Sequence, residues 1–565
     1  MTALAAIYAI TVAWSGGFTV RLGGVRMRSH SWLRPALIAV GGAAVLVYFA
    51  RTQVAALVAR ASSALQSTRS ATVLAAGAAA WAFFAGAAFG TFATGGADSY
   101  GYVGQARLLA QGRLTDTVPV SADYTWPDAA ATFAPLGFTP GLAPGIIAPK
   151  YPPGLPLLMA PLTLMSERAV YFLVPGFAAL LVWITFRLGA AIGDRFAGAL
   201  AAVLLSISPT FLYQAVQPMS DVPAAACWLA AVLVASRATR ASAAAAGLIA
   251  SIAVLIRPNL APACAIPLVV AVFTPAQPPP PNSRSRVHRA AAFTLALVPA
   301  LIALGWIQSV RYGSPVASGY GSVSDAFAFG YVRENFARYP QWLTETHTWF
   351  IWMSLGAPLW IARRAARPLL AWAALALAGV VWASYLPYLY FHPEEWFYTR
   401  FLLPAIAVML LFASACSMWL LQRTPVVIRA AAIVALSVLL VVHGIRVART
   451  RGAFDIRNQE RKYPLAGAFV RDHLPSNAIV LAVQHSGSIR YYAGRATFRW
   501  DLLLPARLDQ ALAVFRAQGY QPFLVVDGGE YDEFKKRFDA TSQSAARQPI
   551  LLATLGDARV YALPR

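Results

Sequence analysis

Runs of about 16 to 22 largely apolar residues follow one another from Ala3 to Val447, each close to the roughly 20 residues that carry a helix across a hydrocarbon core. A chain built this way has to fold in lipid. Composition agrees: 58% of its 565 residues are hydrophobic and 12% charged, where soluble domains carry about 25% charged residues. The mean hydropathy is +0.56. The runs predict helices near 3–20, 35–50, 71–90, 169–189, 196–212, 221–236, 242–256, 260–275, 290–309, 347–362, 368–390, 401–421 and 427–445. That makes an α-helical polytopic membrane protein with about thirteen transmembrane helices.

The formal charge of +23 raises the question of a nucleic-acid partner. The arginines answer it, because they stand in short loops between apolar runs and form no patch interleaved with aromatic residues. Arg187 and Arg195, Arg237 and Arg240, Arg284, Arg286 and Arg289, Arg363, Arg364 and Arg367, and Arg423 and Arg429 fill every second loop, as the cytoplasmic side requires. The alternate loops then face outward. Gly16 to Pro35 dissents, since it carries four arginines on the outer side; its pattern around Gly23-Gly24 predicts a small β-hairpin. Of the twelve carboxylates before residue 451, this topology puts all except Asp194 outside. Cys227, Cys264 and Cys416 lie within predicted helices and have no metal-ligand spacing.

Three regions follow: residues 1–70, an N-terminal helical hairpin extension; 71–450, the main membrane domain, with a large first outer loop at 91–168; and 451–565, of soluble composition. In the last, strands at 478–484, 496–500, 522–527, 549–554 and 558–563 alternate with helices at 464–474, 506–518 and 530–539. These predict a C-terminal extracytoplasmic α/β domain. His485-Ser486-Gly487-Ser488 opens a helix after the first strand, and Ser486 reads as its cap.

Chemistry belongs on the outer face. Asp98 is the first carboxylate in the chain and opens Asp98-Ser99-Tyr100-Gly101-Tyr102, the start of an amphipathic interfacial helix ending at Gly112. Two readings stay open from spacing alone: a catalytic acid, or a helix cap shared with Ser99. The same loop ends in Lys150-Tyr151-Pro152-Pro153-Gly154-Leu155-Pro156. With Gln217-Pro218-Met219-Ser220-Asp221, Arg257-Pro258-Asn259 and Arg400-Phe401-Leu402-Leu403-Pro404 further on, the set resembles the GT-C glycosyltransferase superfamily. It is most similar to the protein O-mannosyltransferase and aminoarabinose transferase branch, over roughly residues 71–450.

The resemblance implies a transferase that takes a sugar from a polyprenyl-phosphate donor and passes it, with inversion, to a glycan, lipid or protein acceptor at the outer face of a bacterial inner membrane. It implies Asp98 as the catalytic carboxylate and Lys150 and Arg400 as donor-phosphate ligands. Tyr102, Tyr151, Asp221, Arg257, His392 and Glu394 are the remaining cavity candidates, and Tyr320, Asn335 and Trp342 lie in an outer loop suited to an acceptor. The family's first loop often has a second acid directly beside the first. Ser99 stands there instead, which leaves a divalent metal cofactor an open question. The rival class is a polytopic transporter or lipid flippase, which places ionisable groups in mid-bilayer on broken helices.

Overall fold

The computed structural model describes residues 2–15, 17–22, 25–29, 31, 33–49, 68–118, 124, 126–275, 284–321, 323–389, 395–547 and 549–564. Helices dominate up to Thr450. Trp396–Leu421 is the centre of the bundle, 94% buried, whereas Ser285–Tyr312 and Ile428–Thr450 are each 17% buried and present apolar surface outward. Alanine and glycine let backbones approach closely, as helix association in lipid demands. At Gly189 a Cβ would lie 2.4 Å from the Cα of Gly198 on the neighbouring helix.

Each apolar run becomes helical, but not each becomes one long span. Six helices among the described residues are long and apolar enough to cross a membrane, or seven if one bent pair counts as a single span. Asp221–Ala235, Arg240–Ile256 and Pro258–Phe273 are shorter apolar helices. The 196–212 run breaks into Arg195–Ser206 and Pro209–Ala215, bent by 62°. Pro209 cannot donate the next helical hydrogen bond, and Ser208 caps the second piece by accepting from the Phe211 amide. The 347–362 run likewise starts as a 3₁₀ segment, Trp349–Gly356, before Ala357–Arg364.

At the N-terminus, Thr2–Ser15 packs on Leu33–Phe49. Between them Phe18–Leu22 pairs antiparallel with Val25–Ser29, the hairpin expected around Gly23-Gly24, whose turn lies outside the described residues.

The first loop is built around the interfacial helix Asp98–Ala110 and a three-stranded antiparallel sheet. The central strand of that sheet, Ile146–Pro149, runs directly into Lys150, so Lys150 and Tyr151 leave a fixed backbone. Gly154 then opens the helix Gly154–Met165 against the end of Arg240–Ile256. A Cβ there would lie 2.3 Å from the Leu255 carbonyl carbon and the Ile256 nitrogen.

Beyond Arg451, a five-stranded sheet has the order Ala496–Phe498, Ala478–Leu481, Gln521–Val526, Ala558–Ala562, Ile550–Leu555, with the first three parallel and the last two antiparallel. Every predicted strand is present. Its core is shared, however: Trp126 and Phe133 of the first loop pack among Phe498, Phe515 and Trp500. Phe133 meets Phe498 edge to face at 5.4 Å.

The Gly154 contact yields a test. Gly154→Ala must push the Lys150-Tyr151 segment away from Arg257, and overpacking of this kind costs about 1–3 kcal/mol. Thermal unfolding of the detergent-solubilised protein should show a lower midpoint for this variant, and no loss for Gly176→Ala, a helical position where a Cβ meets nothing within 4 Å.

Candidate active site

Six segments far apart in sequence converge at one end of the helical bundle, 98–102, 150–151, 220–221, 257, 385 and 400–401. Asp98 is the first residue of Asp98–Ala110, whose N-cap is Ala97 without a side-chain cap. It is therefore not a capping residue. Its carboxylate turns to Arg400, whose Nη1 donates to Oδ2 at 3.0 Å, and accepts from the Tyr151 hydroxyl on Oδ1. Gly101 admits this arrangement, because a Cβ on it would lie 2.2 Å from the Tyr151 ring.

A second pair lies alongside. Asp221 opens Asp221–Ala235 and is buried; its Oδ1 accepts from Arg257 Nη2 at 2.6 Å. Arg257 is where Pro258 ends the preceding helix. It also donates to the Tyr385 hydroxyl at 2.7 Å and to Ser220 Oγ at 3.3 Å. Ser220 accepts in turn from the Tyr102 hydroxyl at 2.8 Å, which joins the interfacial helix to the second pair. The two guanidinium groups flank the Phe401 ring, each 5.1 Å from its centre, and Phe401 stacks on Tyr385 at 4.9 Å.

Lys150 lies at the edge of this cluster, its Nζ 5.1 Å from the centre of the Tyr320 ring. Among the described residues it pairs with no carboxylate. Three cations thus meet two acids, and Lys150 supplies the unmatched charge.

Electrostatics follow from the contacts. Burial alone would raise the pKa of Asp98, but the Arg400 charge and the hydrogen bonds from Tyr151 and Arg400 outweigh it and hold the group below its ordinary value. Burial, with the charge of Arg499, pushes Lys150 below the usual lysine range. A pocket of this polarity keeps Asp98 ionised and Lys150 lightly solvated.

The structure thus brings together Asp98, Tyr102, Lys150, Tyr151, Asp221, Arg257 and Arg400. His392 and Glu394 lie outside the described residues. Asn335 donates to the backbone of Leu386 and Tyr388, and it and Trp342 are buried. Sequence reasoning missed Ser220 and Tyr385. Ser220 stands beside the acid it serves, whereas Tyr385 reads in the sequence as one more belt aromatic at the end of a helix. Among the described residues no three His, Cys, Asp or Glu side chains are placed to hold a metal ion.

In the C-terminal region, Ser486 does not cap its helix. Its hydroxyl donates to the Val483 carbonyl and accepts from the Leu136 amide, tying this region to the first loop. His485 beside it is fully buried and meets Asp527 at 2.8 Å.

No protein-family model and no curated protein matches this sequence. Solved structures do match. ArnT from Cupriavidus metallidurans bound to undecaprenyl phosphate superposes with a TM-score of 0.54 at 12% identity, over 88% of this chain and 98% of that one. The same protein in its apo state gives 0.53 at 13%, over 87% and 97%. The Archaeoglobus fulgidus oligosaccharyltransferase, tethered to an acceptor peptide, gives 0.51 at 12%, over 89% and 75%. These are membrane glycosyltransferases of the GT-C type, and at such identities the likeness is one of fold. The fold is the one that the motifs from Asp98 to Arg400 resemble.

Of the two ion pairs, Asp221–Arg257 is the more enclosed, its carboxylate 1% exposed against 25% for Asp98. Removing one partner of a buried pair strands the other, at a cost of about 3–5 kcal/mol. Asp221→Ala should therefore lower the thermal midpoint sharply. The double variant Asp221→Ala with Arg257→Leu should recover part of the loss, and additive losses would show that the pair is not coupled.

Proposed function

We propose that this chain is a multi-pass glycosyltransferase of the bacterial inner membrane that moves a sugar from a polyprenyl-phosphate donor to an extracytoplasmic glycan, lipid or protein acceptor. The observation that carries this reading is the convergence of one ionised carboxylate, Asp98, with Arg400, Arg257 and the unmatched Lys150 at one end of an apolar bundle. Two further points support it. ArnT, which has this fold, was solved with undecaprenyl phosphate, and the oligosaccharyltransferase with an acceptor peptide.

The chemistry follows from the groups present. Transfer needs a base for the acceptor's proton and cations for the departing phosphate. The acceptor heteroatom attacks the anomeric carbon on the face opposite the phosphate, the bond from that carbon to the phosphate oxygen breaks, and polyprenyl phosphate leaves with the electron pair. Asp98 takes the acceptor proton, and configuration inverts. Lys150 and Arg400 hold the phosphate, while Asp221 fixes Arg257 at the cavity wall.

Arg400 gives this scheme an order of events. It holds the Asp98 pKa down, and a donor phosphate draws the same guanidinium toward itself. The base strengthens as the donor binds.

In this reading residues 1–70, 71–450 and 451–565 are an N-terminal extension, a catalytic membrane domain and an extracytoplasmic α/β domain. The ionisable cluster gathers at helix ends on one side of the bundle, a poor match to the mid-bilayer pathway of a transporter.

Purified protein in nanodiscs, incubated with a panel of undecaprenyl-phosphate-linked sugars, should release undecaprenyl phosphate in the presence of acceptor. Asp98→Asn, which keeps the side chain's shape but gives up the ion pair with Arg400, should lower the thermal midpoint and, assayed below it, lower turnover at least about 100-fold, the lower range for a general base. Wild-type turnover in that variant would reject Asp98 as the base. Lys150→Ala should raise donor KM and lower kcat, and Lys150→Arg should recover only part, because a planar fork replaces a point charge. Unchanged constants in Lys150→Ala would remove the phosphate role. For topology, alkaline phosphatase fused after Arg565 should be active; an inactive fusion that responds to a cytoplasmic reporter would put the domain and the chemistry on the wrong side.

A further inference from the structure

The interfacial helix Asp98–Ala110 has two polar faces. Asp98 and Tyr102 face the ion-pair cluster. Tyr100, Gly104, Arg107 and Leu108 are turned away from it, Tyr100 and Gly104 by roughly 200° at 100° per residue, and line a separate cleft of about 690 Å³. Its opposite wall comes from the C-terminal domain, where Arg490, Tyr491, Arg495 and Tyr520 border the same space. That volume lies within the range of ligand-binding clefts, about 300–1,000 Å³.

Charge decides what could occupy it. Four arginines, Arg107, Arg113, Arg490 and Arg495, line the cleft together with one acid, Asp116. Asp116 is matched twice, by Arg113 and Arg490, at 2.7 Å each. Arg495 is held in place by the backbone carbonyls of Pro475, Ala493, Arg471 and Leu474. Those acceptors fix its geometry and leave its charge in place. Arg107 makes one long contact, 3.4 Å to the Tyr491 carbonyl, and its guanidinium lies 5.0 Å from the Tyr491 ring centre. Among the described residues, neither Arg107 nor Arg495 is paired with a carboxylate. The cleft thus offers the largely free guanidinium fork of Arg107, which matches carboxylate and phosphate oxygens, and the fixed positive charge of Arg495, beside tyrosine rings suited to the apolar faces of sugar rings.

We propose that this cleft binds an anionic oligosaccharide, one whose sugars carry carboxylate or phosphate groups, at a site separate from the Asp98 cluster. Arg107 is its exposed, adaptable contact, and Arg495 its rigid one. The proposal does not rest on the reading of Asp98, because binding here needs no turnover.

Titration calorimetry on the full-length protein in nanodiscs of neutral lipid tests it, with tetragalacturonic acid as the acidic probe, maltotetraose as the neutral one and pyrophosphate as an anion without sugar. Tetragalacturonate should bind, with maltotetraose and pyrophosphate each at least about tenfold weaker. Arg107→Gln should weaken tetragalacturonate about tenfold, the scale of one charge-assisted contact, and Arg107→Glu more. Asp98→Asn should leave it unchanged. Arg107 is exposed and lightly bonded, so both variants should keep the wild-type melting midpoint. Absence of tetragalacturonate binding overturns the proposal, as does binding indifferent to both Arg107 variants. Maltotetraose binding as tightly removes the need for charge, and pyrophosphate binding as tightly removes the need for sugar; either result also overturns it.

Discussion

Asp98 and Arg400 are 302 residues apart in sequence and 3.0 Å apart in space. That pair fixes the site, because it ties the first residue of the interfacial helix to the segment that opens the central buried helix. Both side chains are largely shielded from solvent, and each neutralises the other. Together they allow an ionised acid, two guanidinium groups and a lysine to share one small volume. The hydrogen bonds from Tyr151 to Asp98 and from Tyr102 to Ser220 extend the arrangement to the rest of the first loop, and the proline-rich Lys150–Pro156 segment keeps it from relaxing.

Much of this was legible in residues, for particular reasons. Apolar runs reveal helices because lipid leaves the backbone no other partner, so every predicted helical run is helical. Run length reveals less. Pro209 cuts one run into two pieces bent by 62°, and another begins as a 3₁₀ segment up to Gly356, because neighbouring helices can satisfy an irregular backbone inside a bundle, and a hydropathy pattern does not register that support. The strands beyond Arg451 were legible through their alternation with helices. The three-stranded sheet of the first loop was not, since strands as short as Asp116–Thr117 carry too few residues to show a period.

The site was legible in part. Asp98, Lys150, Asp221, Arg257 and Arg400 stood out as charges in an apolar chain, whereas Ser220 and Tyr385 are ordinary residues whose role lies in what they touch. The helix starting at Asp98 was legible as amphipathic, but with one polar face toward water. In space both faces meet protein: one meets the ion pairs, the other the arginine-lined wall of the C-terminal region. One helix thereby divides two polar compartments, and glycines set the spacing. Gly101 admits the Tyr151 ring on one side, and Gly487 of the facing helix admits Tyr100 on the other.

The aromatic core shared by Trp126, Phe133, Phe498 and Phe515 has a consequence for biogenesis. A ribosome delivers residues 126–133 into the membrane long before residues 498–515 exist, so the first loop waits for its own core while most of the helices insert. Its last turns are completed by contacts of very high sequence separation, the kind that form late. The compartment holding Asp98 is thus assembled at the end of synthesis, and a nascent chain halted before the final strands carries all the charged residues of the cluster without the platform that orients them.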